Sequence, residues 1–476
     1  MSRIADAFAE VFAAHAGRTA VIFRDGSRVQ RKTYAQLGED VLRMRSYFAA
    51  EGVRQGERIL AFATSSYSLC VCMIAALQTG SPIMYVDIRA KQDSLRRIFA
   101  DYRPDMVLVS RRTQFLLPFF REIGKIRHVI RVDCYAGLPP AAAPDAALSE
   151  DTPALLTMTT GSTGKPKIAV RTHLDLLHQL TLIQNNLDAQ PRETILTTSY
   201  IYIFANLLSG FTTVMPMLNP GRDSIRTMRR RLQLFQHEPV TTIITSPDFC
   251  LRADNLFPSL RTLYFGGAIL NLHEARQIRR KFAECRCITV YGSTECAVIA
   301  SADLDSYIEI LETSGKSVLG RPALGVEVRL SEDGEILVAS QALLAHYLTG
   351  DCGKETDSSG TLWHHTGDMA ARDGEILTFR GKCGRTLPVG ADRLYSNEAE
   401  QTIIRTFPDC PKCAVLEHGG KIHVFTQPPH PDSAELFAVL KQLGIQNPVL
   451  HRMLKIPCDV KHHTKIHYEK LKGKLK

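Results

Sequence analysis

The stretch between residues 58 and 87 constrains the fold more than any other. Residues 58–64 read as an apolar strand, the unbroken apolar run Leu69 to Leu77 reads as a helix closed by Gly80, and 82–87 reads as another strand. Strand, helix and strand at this spacing share one sheet only through a crossover, which is almost always right-handed. A mainly parallel sheet covered by helices is therefore expected, an α/β architecture. The same apolar run has nine residues, far below the ~20 that a bilayer-spanning helix needs. No membrane span is expected.

The alternation extends in both directions. Residues 4–12 form an amphipathic pattern, 19–23 a short strand, and Asp25-Gly26 a hairpin turn. Thr33 stands where a helix N-cap belongs, ahead of a helical pattern that ends near Gly52. Strands at 241–245, 262–265 and 287–290 enclose a helical pattern over 272–285. Beyond about residue 325 the strands shorten around Glu332-Asp333-Gly334 and Arg372-Asp373-Gly374, which predicts a smaller antiparallel sheet.

Charge and cysteine narrow the function classes. Of the net charge of +9, most sits at the C-terminal end, where residues 441–476 hold eight Lys and one Arg against Asp459 and Glu469. That end reads either as a solvated surface or as a dock for phosphates or an acidic carrier protein. No helix-turn-helix, RNP or zinc-finger signature accompanies it, so no nucleic-acid partner is expected. The twelve Cys lack a framework spacing, which suits reduced thiols. Cys410-Pro411-Lys412-Cys413 is the only CxxC, and a structural metal site usually needs a second pair. The N-terminal residues carry acidic side chains where a secretory signal needs an apolar stretch, and a cytoplasmic location is expected.

Three segments carry chemistry. In 155–167, Leu-Leu-Thr-Met-Thr-Thr-Gly-Ser-Thr-Gly-Lys-Pro-Lys, an apolar strand enters a loop of two Gly, several hydroxyls and two Lys, which offers backbone N–H donors and positive charge to a polyphosphate. It is not a Walker A loop, because two residues rather than four separate its glycines and Pro follows Lys165. Tyr291-Gly292-Ser293-Thr294-Glu295 then places an aromatic ring, hydroxyls and a carboxylate after a strand, at the end of α/β sheets where ligands gather. His365-Thr366-Gly367-Asp368 adds a carboxylate suited to vicinal hydroxyls such as a ribose.

In this order and at these separations the three segments resemble the adenylate-forming superfamily: acyl-CoA synthetases, luciferases and peptide-synthetase adenylation domains. Thr33-Tyr34 with Leu37, the 80–87 strand, Arg171-Thr172-His173, Gly266-Gly267-Ala268 and Gly320-Arg321-Pro322 fall where that family has its recurring motifs, so the resemblance spans nearly the whole chain. It implies a large N-terminal domain of mixed and parallel sheets with helices and a small antiparallel subdomain, over residues 1–380. A small mobile α+β C-terminal domain would occupy 381–476.

The resemblance also implies an ATP- and Mg²⁺-dependent reaction. A carboxylic acid attacks the α-phosphorus of ATP, pyrophosphate leaves, and the acyl-adenylate meets a second nucleophile. Carried over, Thr159, Ser162, Thr163, Gly164 and Lys167 would contact the β and γ phosphates. Gly267, Ala268 and Tyr291 would enclose the adenine, Thr294 would touch the α-phosphate, Glu295 would hold Mg²⁺, and Asp368 would bind the ribose. Lys465 would bridge the substrate carboxylate and the α-phosphate, a task suited to a compact ammonium.

The chain also departs from the family. Gly381-Lys382-Cys383-Gly384-Arg385 has Lys382 where an Arg usually meets the ribose, and Ile168 stands where a Gly usually follows the phosphate loop. Gly384 at the hinge position tolerates the φ changes of a domain rotation. An acyl pocket is expected among residues 199–206, Gly266, Gly267 and the positions around Gly292 and Glu295. Tyr202 and Phe204 would line it, unless they pack the core. No charged partner for an α-amino group is evident there, which favours fatty or aromatic acids. The expected acceptor is the thiol of CoA or of an acidic acyl carrier protein. The 459–466 stretch looks most like the β-lactone synthetase branch, in which an internal hydroxyl captures the acyl-adenylate.

Overall fold

Ile59–Phe62 and Ile83–Tyr85 pair in parallel, joined by the helix Tyr67–Gln78, as the alternation predicts. All nine residues from Leu69 to Leu77 are buried, Ser66 caps the helix through its hydroxyl, and Gly80 at φ +69° turns the chain away from it. The computed structural model describes residues 3–86, 92–119, 122, 126–140, 147–159, 167–218, 223–349, 353–389, 393–459 and 465–475. They fall into two compact units, Met1–Leu218 with Thr294–Ala297 and Ser340–Cys352, and Asn219–Ser293 with Val298–Ala339 and Gly353–Lys476.

The first unit contains a seven-stranded sheet in the order His346–Tyr347, Lys167–Thr172, Pro153–Thr159, Ile83–Tyr85, Ile59–Phe62, Met106–Val109, His128–Arg131. Leu60, Phe62, Met84, Val107, Leu156, Ile168 and Val170 pack on one another across it. Ile168 is thereby a core residue of its strand. The unit also holds Thr194–Thr197, Thr212–Met215, Thr19–Asp25 and Arg28–Thr33, paired in that order. Thr33 caps the helix Tyr34–Ala50 in a reciprocal box with Gln36, confirming the N-cap assignment.

In the second unit Thr242–Thr245, Thr262–Gly266 and Arg286–Tyr291 run in parallel. Ala300–Asp303 and Ser317–Pro322 continue antiparallel, followed by Ile376–Lys382, Leu362–Asp373, Glu335–Ala339 and Glu327–Leu330. The helix expected over 272–285 runs from Leu272 to Lys281. Arg279 ends it early by donating to the carbonyls of Phe282, Ala283 and Cys285, which fixes a non-helical turn. Among the described residues no helix is long and apolar enough to cross a membrane.

The C-terminal part of this unit has a core of its own. Cys413–His418 pairs antiparallel with Lys421–Thr426, which pairs in parallel with Val449–Arg452. The helices Ser396–Thr406 and Ser433–Gln442 supply Ile403, Leu436 and Leu440 to an apolar cluster with Val415 and Val424. These elements form the small α+β portion that the family resemblance implies.

Buried beside this sheet, Glu400 accepts from the Val415 N–H at 2.9 Å and the Tyr468 hydroxyl at 2.7 Å. Burial pushes its pKa up to about 8, and these bonds with the charges of Arg385 and Lys412 only partly restrain the rise. An unfolded Glu titrates near ~4.3, so the folded state holds its proton more tightly and the resulting stability drains away between roughly pH 4 and 8. The urea midpoint should therefore fall from pH 5 to pH 8, and Glu400→Gln should flatten that fall. An unchanged pH slope in the variant would remove Glu400 as its source.

Candidate active site

In the first unit the phosphate-loop strand and its return strand run antiparallel, with Thr159 opposite Lys167. The segment between them, including Ser162, Thr163 and Gly164, lies outside the described residues. Thr159 Oγ1 is buried and has no hydrogen-bond partner among the described residues, as suits a group that awaits a ligand acceptor.

Beneath the Thr294-Glu295 pair lies a buried guanidinium. Arg171 donates to Gln179 Oε1 at 2.6 Å, Thr157 Oγ1 at 2.8 Å and the Thr294 carbonyl at 2.8 Å. Burial lowers its pKa to about 10 against the opposing pull of Glu295, Asp175 and Tyr347, so it remains a cation at neutral pH. Gln179 adds bonds to the carbonyls of Thr294, Glu295 and Ala342. Tyr347 donates its hydroxyl to Glu295 Oε1, and its ring lies 5.1 Å from Lys167 Nζ. The structure thus brings Lys167, Thr294 and Glu295 together.

Tyr202 and Phe204 lie on the helix Tyr200–Leu208 of the same unit. Phe204 is fully buried with its ring edge-on to Phe8, and Tyr202 is half-buried. Phe204 therefore packs the core. Tyr200, on the same helix, is anchored through its hydroxyl to Ser65 and the Ser66 N–H.

In the second unit Gly266 ends its strand opposite Val290, and any Cβ at 266 would overlap the Val290 carbonyl. Gly267 follows at φ +99°, a conformation that favours Gly, so the chain turns sharply into Ala268. Tyr291 ends the neighbouring strand ahead of Gly292, and its hydroxyl donates to Asp368 Oδ2 at 2.7 Å. The other carboxylate oxygen of Asp368 meets Lys382 Nζ at 2.5 Å.

This last pairing depends on an irregular register. Counted from the hairpin pair Asp373 and Ile376, a regular ladder would set Gly381 opposite Asp368. A bulge between Met369 and Ala370 shifts the pairing by one residue and brings Lys382 there instead. Lys465 belongs to the same group: although much of its surface is open, desolvation by surrounding protein and then the Lys382 charge lower its pKa, with Asp368 pulling the other way.

The family profile of the AMP-binding enzymes matches residues 8–348. The chain belongs to the AMP-binding enzyme family. It is 24% identical over 500 aligned residues to an olefin beta-lactone synthetase of Xanthomonas campestris pv. campestris, covering 92% of this chain and 90% of that protein. It is 22% identical to a D-alanine--D-alanyl carrier protein ligase of Streptococcus equi subsp. equi, covering 79% and 77%. Among solved structures it is similar to the o-succinylbenzoate CoA synthetase MenE of Bacillus subtilis in complex with an acyl-adenylate, with a TM-score of 0.79, 20% identity and coverage of 99% and 98%. That likeness shows the fold, and the family makes this chain an acyl-adenylate-forming ligase.

The donor set of this AMP-binding enzyme suits Mg²⁺ held largely by a nucleotide. Among the described residues no group of three or more His, Cys, Asp or Glu could cage a metal. Mg²⁺ commonly takes one or two carboxylates plus substrate phosphates, and Glu295 is a carboxylate fixed in place by Tyr347. In the CxxC, Cys410 and Cys413 are buried, burial raises both thiols, and Cys413 donates to the Glu400 carbonyl.

Sequence reasoning assigned no role to Arg171, Gln179 or Tyr347. Arg171 sat in a quoted motif, but its partner Thr294 lies 123 residues away. Tyr347 is 52 residues from Glu295 and carries no local signature.

Proposed function

We propose that this AMP-binding enzyme activates a fatty or aromatic carboxylic acid as its acyl-adenylate, with release of pyrophosphate, and passes the acyl group to a thiol of CoA or an acyl carrier protein. The observation that carries this reading is the Asp368 carboxylate held by Lys382 Nζ and the Tyr291 hydroxyl, with Lys465 close enough to feel both charges. Such a group supplies a hydroxyl acceptor for ribose and positive charge for an acid and a phosphate. The substrate acid is already ionised at neutral pH, so no general base is needed.

One carboxylate oxygen attacks the α-phosphorus as the bond to the bridging oxygen of pyrophosphate breaks, and both negative products must be neutralised as they form. Lys465 holds the incoming carboxylate against the α-phosphate. Lys167 and the hydroxyl of Thr159 take the departing phosphates, and Thr294 touches the α-phosphate. Asp368, with Lys382 in place of the family's usual Arg, holds the ribose, while Gly267, Ala268 and Tyr291 border the adenine. Glu295 would hold Mg²⁺, which would supply charge neutralisation to the phosphates.

Residues 381–476 are read as the domain that reorients for the second step, with Gly384 at φ +74° as its hinge. The positive C-terminal end leans toward an acidic carrier, although the phosphates of CoA would meet the same charge. A cytoplasmic setting fits an ATP-consuming ligase. A second reading, closure of a 3-hydroxy acid on its own hydroxyl as a β-lactone, is favoured by the full-length likeness to the olefin beta-lactone synthetase.

AMP release should be measured across fatty, 3-hydroxy-fatty and aromatic acids, with CoA, with an acyl carrier protein, and with neither. Thiol-dependent turnover supports the first reading. Equal turnover of a 3-hydroxy acid without any thiol overturns it in favour of the second.

A further inference from the structure

The CxxC segment lies against the start of the helix Leu272–Lys281, and its use there is mechanical. Asn271 and Glu274 form a capping box: the Asn271 side chain accepts from the Glu274 N–H at 2.9 Å and the Glu274 carboxylate accepts from the Asn271 N–H at 3.2 Å. Each cap residue then spends its remaining polar group on the C-terminal segment. Asn271 Nδ2 donates to the Pro411 carbonyl at 3.1 Å, and Glu274 Oε1 lies 3.0 Å from Lys412 Nζ. Both members of this ion pair are nearly buried, with side chains 10% and 13% exposed.

Lys412 reaches one residue further, to Cys458 Sγ at 3.8 Å. Cys458 stands beside the backbone of Lys465 and Ile466. It pairs with Ile466 in a bridge, the Asp459 N–H donates to the Lys465 carbonyl at 2.8 Å, and the His467 N–H donates to the Pro457 carbonyl at 2.8 Å. A continuous line of contacts therefore runs from the cap of one helix, through Lys412, to the backbone that presents Lys465.

We propose that Glu274, Lys412 and Cys458 form a latch that fixes the backbone at Lys465 and Ile466 for adenylation, with Lys412 as its positioning residue. This rests on the role given to Lys465 above. A buried ion pair is costly to break one partner at a time, so the latch favours one placement of the Lys465 backbone. Small displacements of a reacting group carry large rate penalties, and releasing the latch should cost adenylation about 10- to 100-fold. Transfer from acyl-AMP needs no such charge and should be spared.

The test compares wild type, Lys412→Met, Glu274→Gln and the charge-swapped pair Glu274→Lys with Lys412→Glu. Hydrogen exchange at the Asp459 and His467 amides is read without substrate. ATP–pyrophosphate exchange with the acid chosen by the screen, and consumption of the matching synthetic acyl-AMP, are read separately. The latch predicts faster amide exchange and slower pyrophosphate exchange in both single variants, unchanged acyl-AMP consumption, and partial recovery in the swapped pair. Amides as protected in Lys412→Met and Glu274→Gln as in wild type would overturn it. An equal loss in both half-reactions would overturn the positioning role. Absence of pyrophosphate exchange in the wild type would instead strike the proposed reaction, and the amide measurement would still decide the latch.

Discussion

Replacing Lys465 by Ala should cut acyl-adenylate formation by about 10²–10³-fold, the loss typical of removing one preorganised charge from a site of developing negative charge. The neighbourhood explains why no other residue compensates. Lys382 is already committed to Asp368 at 2.5 Å, and Asp368 is tied through its other oxygen to Tyr291. Among the described residues Lys465 has no ion-pair partner, so its ammonium can turn toward an incoming carboxylate. Its pKa lies below that of an ordinary lysine, through desolvation and the nearby Lys382 charge. The group thus loses its proton at a lower pH than a free lysine, and adenylation should decline on the alkaline side earlier than ~10.4. Lys465→Arg should move that limb upward while lowering the rate, because a planar guanidinium replaces a point charge. Near-wild-type pyrophosphate release by Lys465→Ala would remove the residue from the mechanism.

Arg171→Met should be the most damaging substitution for stability, at about 3–5 kcal/mol, the range for stripping a buried charge network of one member. The variant removes the Arg171 donor from Gln179 Oε1, the Thr157 hydroxyl and the Thr294 carbonyl, at a site where Arg171 is itself buried. It also withdraws the positive charge from below Glu295. Arg171→Lys should recover part of the loss, since one ammonium can satisfy one or two of three fixed acceptors. Urea denaturation at pH 7 gives the comparison. A loss under about 1 kcal/mol in the Met variant would show that the network carries little of the fold.

Local signals explain which parts of the molecule were legible from the chain. The apolar run at 69–77 between two strands dictated its own burial, and Thr33 with Gln36 wrote a helix start in four residues. The Asp373-Gly374 turn likewise announced the hairpin that carries Asp368 and Lys382. What pattern did not disclose was the bulge that leaves Arg380 unpaired, which decides whether Lys382 or its neighbour Gly381 faces the carboxylate. An extra residue in a strand leaves no mark on hydrophobic alternation when both flanking positions are small or apolar. The support beneath Glu295 was hidden for another reason: Arg171, Gln179 and Tyr347 act through partners more than fifty residues away, and only the folded chain brings them together. Helix 272–285 ended early because one guanidinium, Arg279, reaches carbonyls three, four and six residues ahead, a local side-chain-to-backbone stop that helix propensity does not encode.

The central claim is that the acid is joined to the α-phosphorus. The direct measurement supplies the preferred acid with both carboxyl oxygens labelled with ¹⁸O, together with ATP, and follows the label by mass spectrometry. The account predicts AMP carrying one labelled oxygen, with unlabelled pyrophosphate. ADP as the nucleotide product, with the label in inorganic phosphate, would contradict it.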